Sequence, residues 1–188
     1  MGKKGEGNRQ RILDAAENLF YRRGYNQTSF QDISDATDIP RGNFYYYFKT
    51  KEDILNGVID ARVVSLSAML SNYDAEMPDP RERLLMFTNI LDRDSDDIML
   101  SGCPLGTLSI ELAKGDAALH DKSKQAFIVL CKWMEEQFDL MGLSNADELA
   151  IDLVSRLQGI NVMANVFNDA GYLKRSHIEI KKWINEQD

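Results

Sequence analysis

At 188 residues the chain can form one domain or a small domain joined to a medium one, and 44% apolar with 28% charged residues describes a globular protein with a real core. The net charge of −8 argues against a generic polyanion binder, yet it is unevenly spread: residues 1–51 carry nine cations against six anions, and the acidic excess lies beyond them. Lys3 and Lys4 precede no apolar stretch, the longest purely apolar run is residues 126–131, and Cys103 and Cys131 are the only cysteines, so a cytoplasmic protein without signal peptide, membrane span or disulfide framework is expected.

Almost every segment repeats its apolar residues with the helical period, and no strand pattern competes. The first helix is expected over residues 9–23, with Ile12, Leu13, Ala16, Leu19 and Phe20 on one face. Asn8 reads as its N-cap and Gly24, just past Arg22 and Arg23, as its C′ residue. A second helix over residues 29–37 is capped by Thr28 or Ser29 and turns Phe30, Ile33 and Ala36 inward. Asp38 and Ile39 form a turn before the segment 40–48. Thr50, with Asp53 three residues on, is close to a capping box and launches a long helix through Ile54, Leu55, Val58, Ile59, Val63, Leu66, Met69 and Leu70.

Met77-Pro-Asp-Pro80 breaks the chain, and residues 81–92 resume it with Leu84, Phe87, Ile90 and Leu91. Residues 94–97 read as an exposed acidic loop. Pro104 opens a helix that ends at Lys114-Gly-Asp116, and residues 117–141 form one long helix closed by Gly142. Residues 145–168 and 176–185 supply the last two. The expected fold is all-α: a three-helix head with a helix-turn-helix at residues 1–50 and a helical-bundle body at residues 51–188.

The segment 40–48 concentrates chemistry that folding alone does not require: Arg41, Gly42, Asn43, Tyr45, Tyr46 and Tyr47 beside the apolar Phe44 and Phe48, followed by Lys49 and Lys51. Phosphates are held by hydroxyls and cations, and a glycine lets backbone approach base edges. Phe44 and Phe48 are four residues apart and share a face, so Tyr45 and Tyr46 must point elsewhere. Tyr47 neighbours the buried face. A short helix, a turn and this segment have the spacing of a helix-turn-helix.

The order and spacing of Arg22-Arg-Gly-Tyr25, Thr28-Ser-Phe-Gln-Asp-Ile33, Pro40–Phe48 and Lys51-Glu-Asp-Ile-Leu55 resemble the DNA-binding head of the TetR family of transcriptional regulators over about residues 9–55. Gly102-Cys-Pro-Leu-Gly-Thr-Leu-Ser-Ile-Glu-Leu112 resembles a Gly-Cys-x-x-Gly-x-Leu segment of one subset of that family. The resemblance implies that Thr28 and Ser29 anchor a phosphate at the start of the second helix. Arg41, Gly42 and Asn43 would approach bases, Tyr45, Tyr46 and Tyr47 would grip the backbone, and Lys51 would take a further phosphate. Pro40 departs from the serine that many members carry there, and Tyr47 from a frequent histidine. A homodimer on a palindromic operator, released by a small ligand in the body, is the function implied.

No Ser/His/Asp set, Walker loop or dinucleotide fingerprint is present, and Cys103, Cys131, His120 and His177 show no metal-ligand spacing. Residues 92–97 fail as a calcium loop, because Asp97 stands where glycine is needed and Cys103 where glutamate is. No cofactor and no metal are expected. In the body, Met69, Phe87, Leu91, Leu105, Leu108, Phe127, Leu130, Trp133, Met134 and Met163 serve either ordinary core packing or a pocket for a small apolar or aromatic effector. The final helices are apolar on more than one face, which a second copy would cover through Leu153, Leu157, Ile160, Phe167, Ile180 and Trp183. The alternatives are a ligand-independent regulator or activator and, from other classes, a small helical enzyme or a structural oligomer.

Overall fold

The periodicity becomes twelve helices and no strand among residues 3–188, which this computed structural model describes; the side chains of Lys3, Lys4 and Arg41 lie outside the described set. In chain order they are α1 (Lys3–Arg23), α2 (Phe30–Thr37), α3 (Arg41–Tyr47), α4 (Lys51–Glu76), α5 (Pro80–Thr88), α6 (Ile90–Arg93), α7 (Ser95–Ser101), α8 (Pro104–Leu112), α9 (Ala117–Ser123), α10 (Gln125–Leu140), α11 (Ala146–Phe167) and α12 (Ala170–Asn185). The fold is all-α, as expected.

Several boundaries move, each for a local reason. α1 starts at Lys3, so Asn8 lies inside it instead of capping it, with Glu6 favourably placed in the first turn. Residues 94–97 are not a loop: Asp94 closes α6, Ser95 opens α7, and burial of Ile98 at 3% exposure holds the acidic stretch in helix. The helix expected over residues 81–92 breaks at Asn89, where the Thr88 hydroxyl donates to the Leu85 carbonyl at 2.7 Å and competes with the backbone ladder. The one expected over residues 117–141 breaks at Lys124 in the same way, the Ser123 hydroxyl donating to the His120 carbonyl at 2.7 Å. α12 begins at Ala170 and not at Ser176, because Asp169 caps it by accepting the Tyr172 N–H.

The chain divides into a first unit of Met1–Val64 with Thr107–Gln125 and a second of Ser65–Gly106 with Ala126–Asp188. The core of the first collects Ile12, Leu13, Ala16 and Phe20 of α1, Ile33 of α2, Phe44 and Phe48 at α3, and Ile54, Leu55, Val58 and Ile59 of α4. Leu112 and Leu119 join the same cluster. This unit therefore runs past the boundary expected at residue 50: four α4 side chains are needed to close its core. α4 is long and apolar enough to cross a membrane by length and composition alone, yet Ile54, Leu55, Val58 and Ile59 are buried here.

The second unit has its own core, centred on Leu84, Leu91, Leu130, Met134, Phe138, Leu153, Leu173 and Ile184. Polar groups pin its helices together. Arg81 of α5 donates to the carbonyls of Ile184 and Gln187 at 2.7 and 2.6 Å, placing a cation at the negative end of α12. His177 of α12, 4% exposed, meets the Asp92 carboxylate at 2.7 Å and the Thr88 hydroxyl at 3.2 Å.

Burial decides which aromatics of α3 hold the first unit. Phe44→Ala is expected to destabilise it by about 3–5 kcal/mol through the cavity left behind. Tyr46→Ala, at a side chain 72% exposed, should change stability by less than about 0.5 kcal/mol. Urea unfolding of the two variants checks the contrast.

Candidate nucleic-acid interface

The interface starts from the way α2 is launched. Ser29 is in an extended conformation and accepts the Asp32 N–H, while the Asp32 carboxylate accepts the Ser29 N–H at 2.7 Å, a reciprocal capping box. The Ser29 hydroxyl and N–H, in that order, hold the Asp32 carboxyl below its usual range. α2 buries Ile33, Ser34 and Thr37, whereas Ala36, expected inside, is exposed. The buried hydroxyls replace it because each has an acceptor: Ser34 donates to the Ile39 carbonyl and Thr37 to that of Ile33. Asp38, at φ +54°, ends the helix in the left-handed region.

Pro40 then caps α3 with φ −54° and no side-chain bond, and its carbonyl accepts the Asn43 N–H at 2.8 Å. Phe44 and Phe48 are 0% and 4% exposed, so the helical period throws their neighbours outward: Tyr45 is 45% and Tyr46 72% exposed. Gly42 and Asn43 are exposed as well. Tyr45 stacks on Phe30 with ring centroids 6.1 Å apart, and Lys49 donates to the Tyr45 carbonyl. Tyr47 is half-buried; its hydroxyl accepts from the Asn8 amide at 3.3 Å, and its ring meets Tyr46 edge-on. The Arg41 side chain lies outside the described residues.

The segment between α1 and α2 is held by an anion and a cation. Gly24, at φ +90°, makes the turn. Thr28, expected to present its hydroxyl, is 1% exposed; that hydroxyl donates to the Gly24 carbonyl at 2.8 Å and the N–H to the Tyr25 carbonyl. Lys51 donates to the carbonyls of Tyr25 and Thr28 at 2.9 and 3.0 Å, and its ammonium lies 4.1 Å from the centre of the Tyr25 ring. Burial pulls that ammonium below the usual lysine range, with the Glu111 charge opposing. Glu111 accepts the N–H groups of Tyr25 and Asn26 at 2.9 and 2.7 Å. Nothing in its sequence neighbourhood marks Glu111, because the partner amides lie some 85 residues away. An open recess of about 560 Å³ is lined by residues 26–31 and Lys51. Thus Gly42, Asn43, Tyr45, Tyr46 and Ser29 face solvent, while Thr28 and Lys51 act within the structure.

The other expected sites are less gathered. Phe87, Leu91, Leu130, Trp133 and Met134 are buried in one cluster of the second unit, with Met69 and Phe127 half-buried against it and Leu105 half-buried. The Trp133 N–H donates to the Asp74 carboxylate at 3.0 Å. Leu108 packs in the core of the first unit, and Met163 lines a groove of about 580 Å³ along α11 and α12 with Arg156 and Trp183. Of the expected interface residues, Leu153, Leu157, Ile160 and Ile180 are buried in the unit's own core, Trp183 is half-buried, and Phe167 is 65% exposed. Among the described residues no group of three or more His, Cys, Asp or Glu side chains is placed to hold a metal ion.

Residues 12–58 match the profile of bacterial regulatory proteins of the tetR family. Over 174 residues the chain is 32% identical to an uncharacterized HTH-type transcriptional regulator in the lacX 3′ region of Lactococcus lactis subsp. lactis, covering 88% of this chain and 87% of that one. Over 107 residues it is 30% identical to the HTH-type transcriptional repressor DhaR of Mycobacterium sp. (strain GP1), covering 56% of this chain and 52% of DhaR. The fold matches the crystal structure of a TetR transcriptional regulator from Legionella pneumophila with a TM-score of 0.83 at 24% identity, over 97% of each chain.

Burial, then the charges of Glu52, Asp116 and Glu111, push the Tyr25 phenol up to about 12. The unfolded chain ionises Tyr25 first, so the stability it contributes is present below pH 10 and lost as pH rises towards about 12. Alkaline unfolding of the wild type should therefore show a steepening in that window that Tyr25→Phe removes.

Proposed function

The chain belongs to the tetR family of bacterial regulatory proteins, as a DNA-binding helix-turn-helix transcriptional regulator and not an enzyme, and on that premise we propose that it is a cytoplasmic, homodimeric repressor that leaves a palindromic operator when a small apolar ligand binds. The observation that carries this reading is the division of α3: Phe44 and Phe48 anchor it while Gly42, Asn43, Tyr45 and Tyr46 face solvent. Arg41, Gly42 and Asn43 then meet base edges, and Tyr45, Tyr46, Tyr47 and Ser29 meet phosphates. Thr28 and Lys51 serve the contact by shaping the loop beside it. An ammonium has three protons, so Lys51 keeps one for a phosphate.

One helix-turn-helix makes too few base contacts for tight selection, and two copies related by a two-fold axis reading half-sites about 34–36 Å apart supply the rest. That pairing is supported by α11, where Ile151, Ser155, Gly159, Val162 and Val166 recur at helical spacing and are all exposed. Ile178 of α12 is 66% exposed as well. Phe167 and Met163 are further exposed apolar side chains of α11. A repressor role is supported by the likeness to DhaR, itself a repressor. An apolar or aromatic effector is supported by the cluster of Phe87, Leu91, Leu130, Trp133 and Met134. Release follows if the ligand prefers a conformation of the dimer whose half-site spacing misfits the operator, swung through the connecting helix α4.

Selection of duplexes from a random-sequence pool tests the core of the proposal: the wild type should enrich an inverted repeat, and enrichment of unrelated or single sites would overturn it. Compounds that bind without weakening operator affinity would remove the effector. Arg41→Ala should relax discrimination at one or two base pairs by about 1–3 kcal/mol, read from a set of singly substituted duplexes. Val166→Glu should convert the dimer to a monomer in analytical ultracentrifugation, since a charge buried at a two-fold contact meets its own copy.

A further inference from the structure

The contact between α8 and the loop before α2 is unlike an ordinary surface ion pair. Its acceptor is one carboxylate and its donors are two successive backbone amides, Tyr25 N–H to Oε2 at 2.9 Å and Asn26 N–H to Oε1 at 2.7 Å. Charge-assisted bonds to a carboxylate are about twice as strong as neutral ones, and here no side-chain freedom is lost on the donor side. The approach is close: a Cβ on Gly24 would stand 3.1 Å from Oε2. In the same loop Lys51 takes the carbonyls of Tyr25 and Thr28. An anion thus binds amides and a cation binds carbonyls of a five-residue turn. Ser29, which caps α2, follows directly from it.

We propose that Glu111 is a positioning residue of the DNA interface: held on α8, its carboxylate fixes the Gly24–Thr28 backbone and so sets where Ser29 and the first turn of α2 stand against a phosphate. The inference rests on the DNA-binding reading above. It also accounts for residues 107–125 belonging to the first unit, to which α8 contributes Leu112 and Leu108 as well. Lys122 fastens the following helix, α9, to Asp60 of α4.

A sign argument separates positioning from plain electrostatics. An acid beside a polyanion repels it, so neutralising that acid should strengthen binding. If Glu111 positions the loop, neutralising it weakens binding instead. The experiment compares wild type, Glu111→Gln and Glu111→Asp on the duplex that the wild type enriches from a random-sequence pool. Glu111→Gln keeps the size but loses the charge and one acceptor oxygen, and should lower affinity about tenfold. Glu111→Asp keeps the charge on a shorter arm and should recover part of the loss.

Hydrogen exchange of the unbound proteins supplies the second readout. In Glu111→Gln the amides of Tyr25 and Asn26 should lose protection while those of residues 12–20 keep it, which distinguishes a released loop from a chain that fails to fold. Binding by Glu111→Gln equal to or tighter than wild type, or unchanged exchange at Tyr25 and Asn26, overturns the proposal for Glu111. Failure of the wild type to enrich any duplex overturns the DNA-binding reading itself.

Discussion

A helix of seven residues has no stability of its own in water, because nucleation costs more than so few hydrogen bonds return. α3 is such a helix, and the surface proposed to meet DNA stands on it. Its position is fixed by tertiary burial: Phe44 sits inside the core with Ile12, Ile33, Ile54 and Leu55, and Phe48 follows one turn later. The same geometry that draws these two rings inward forces Tyr45 and Tyr46 outward. Core and contact surface are therefore one solution to one packing problem, and neither can be repositioned without the other. The caps on either side sharpen it, Asp38 ending α2 in a left-handed conformation and Thr50 with Asp53 opening α4 through reciprocal bonds.

The helix-turn-helix was legible because each of its signals is local. A threonine-serine pair before an apolar run, a glycine after two arginines, and two phenylalanines at i and i+4 can each be read within a few positions. What escaped depends on which partner a polar side chain takes, near or far along the chain. Asn8 has the composition of a cap but lies within α1 and reaches Tyr47 instead. The family resemblance puts the Thr28 hydroxyl on a phosphate, yet that hydroxyl closes the loop onto Gly24. Breaks at Asn89 and Lys124 arise from hydroxyls that take a backbone carbonyl, a competition that apolar periodicity does not register.

The second unit was legible as helices more than as a site. Periodicity shows that a face is apolar, not whether its own chain or something else covers it. Leu153, Leu157 and Ile160 are covered by their own unit, while Ile151, Val162 and Val166 on the same helix α11 are open. Likewise Leu105 and Leu108 are three residues apart on α8 but lie in different units. Apolar character alone does not say which neighbours a residue will find.

Because Glu111 engages the main chain at positions 25 and 26, its grip is indifferent to what Asn26 carries beyond its Cα. Sequence drift at that position is free as far as this contact goes, with proline the one replacement that deletes the donor. Gly24 enjoys no such latitude: its φ of +90° strains any other residue, and a methyl group there would crowd the Glu111 carboxylate. The tolerance of this turn to evolutionary change is thus sharply uneven across adjacent residues.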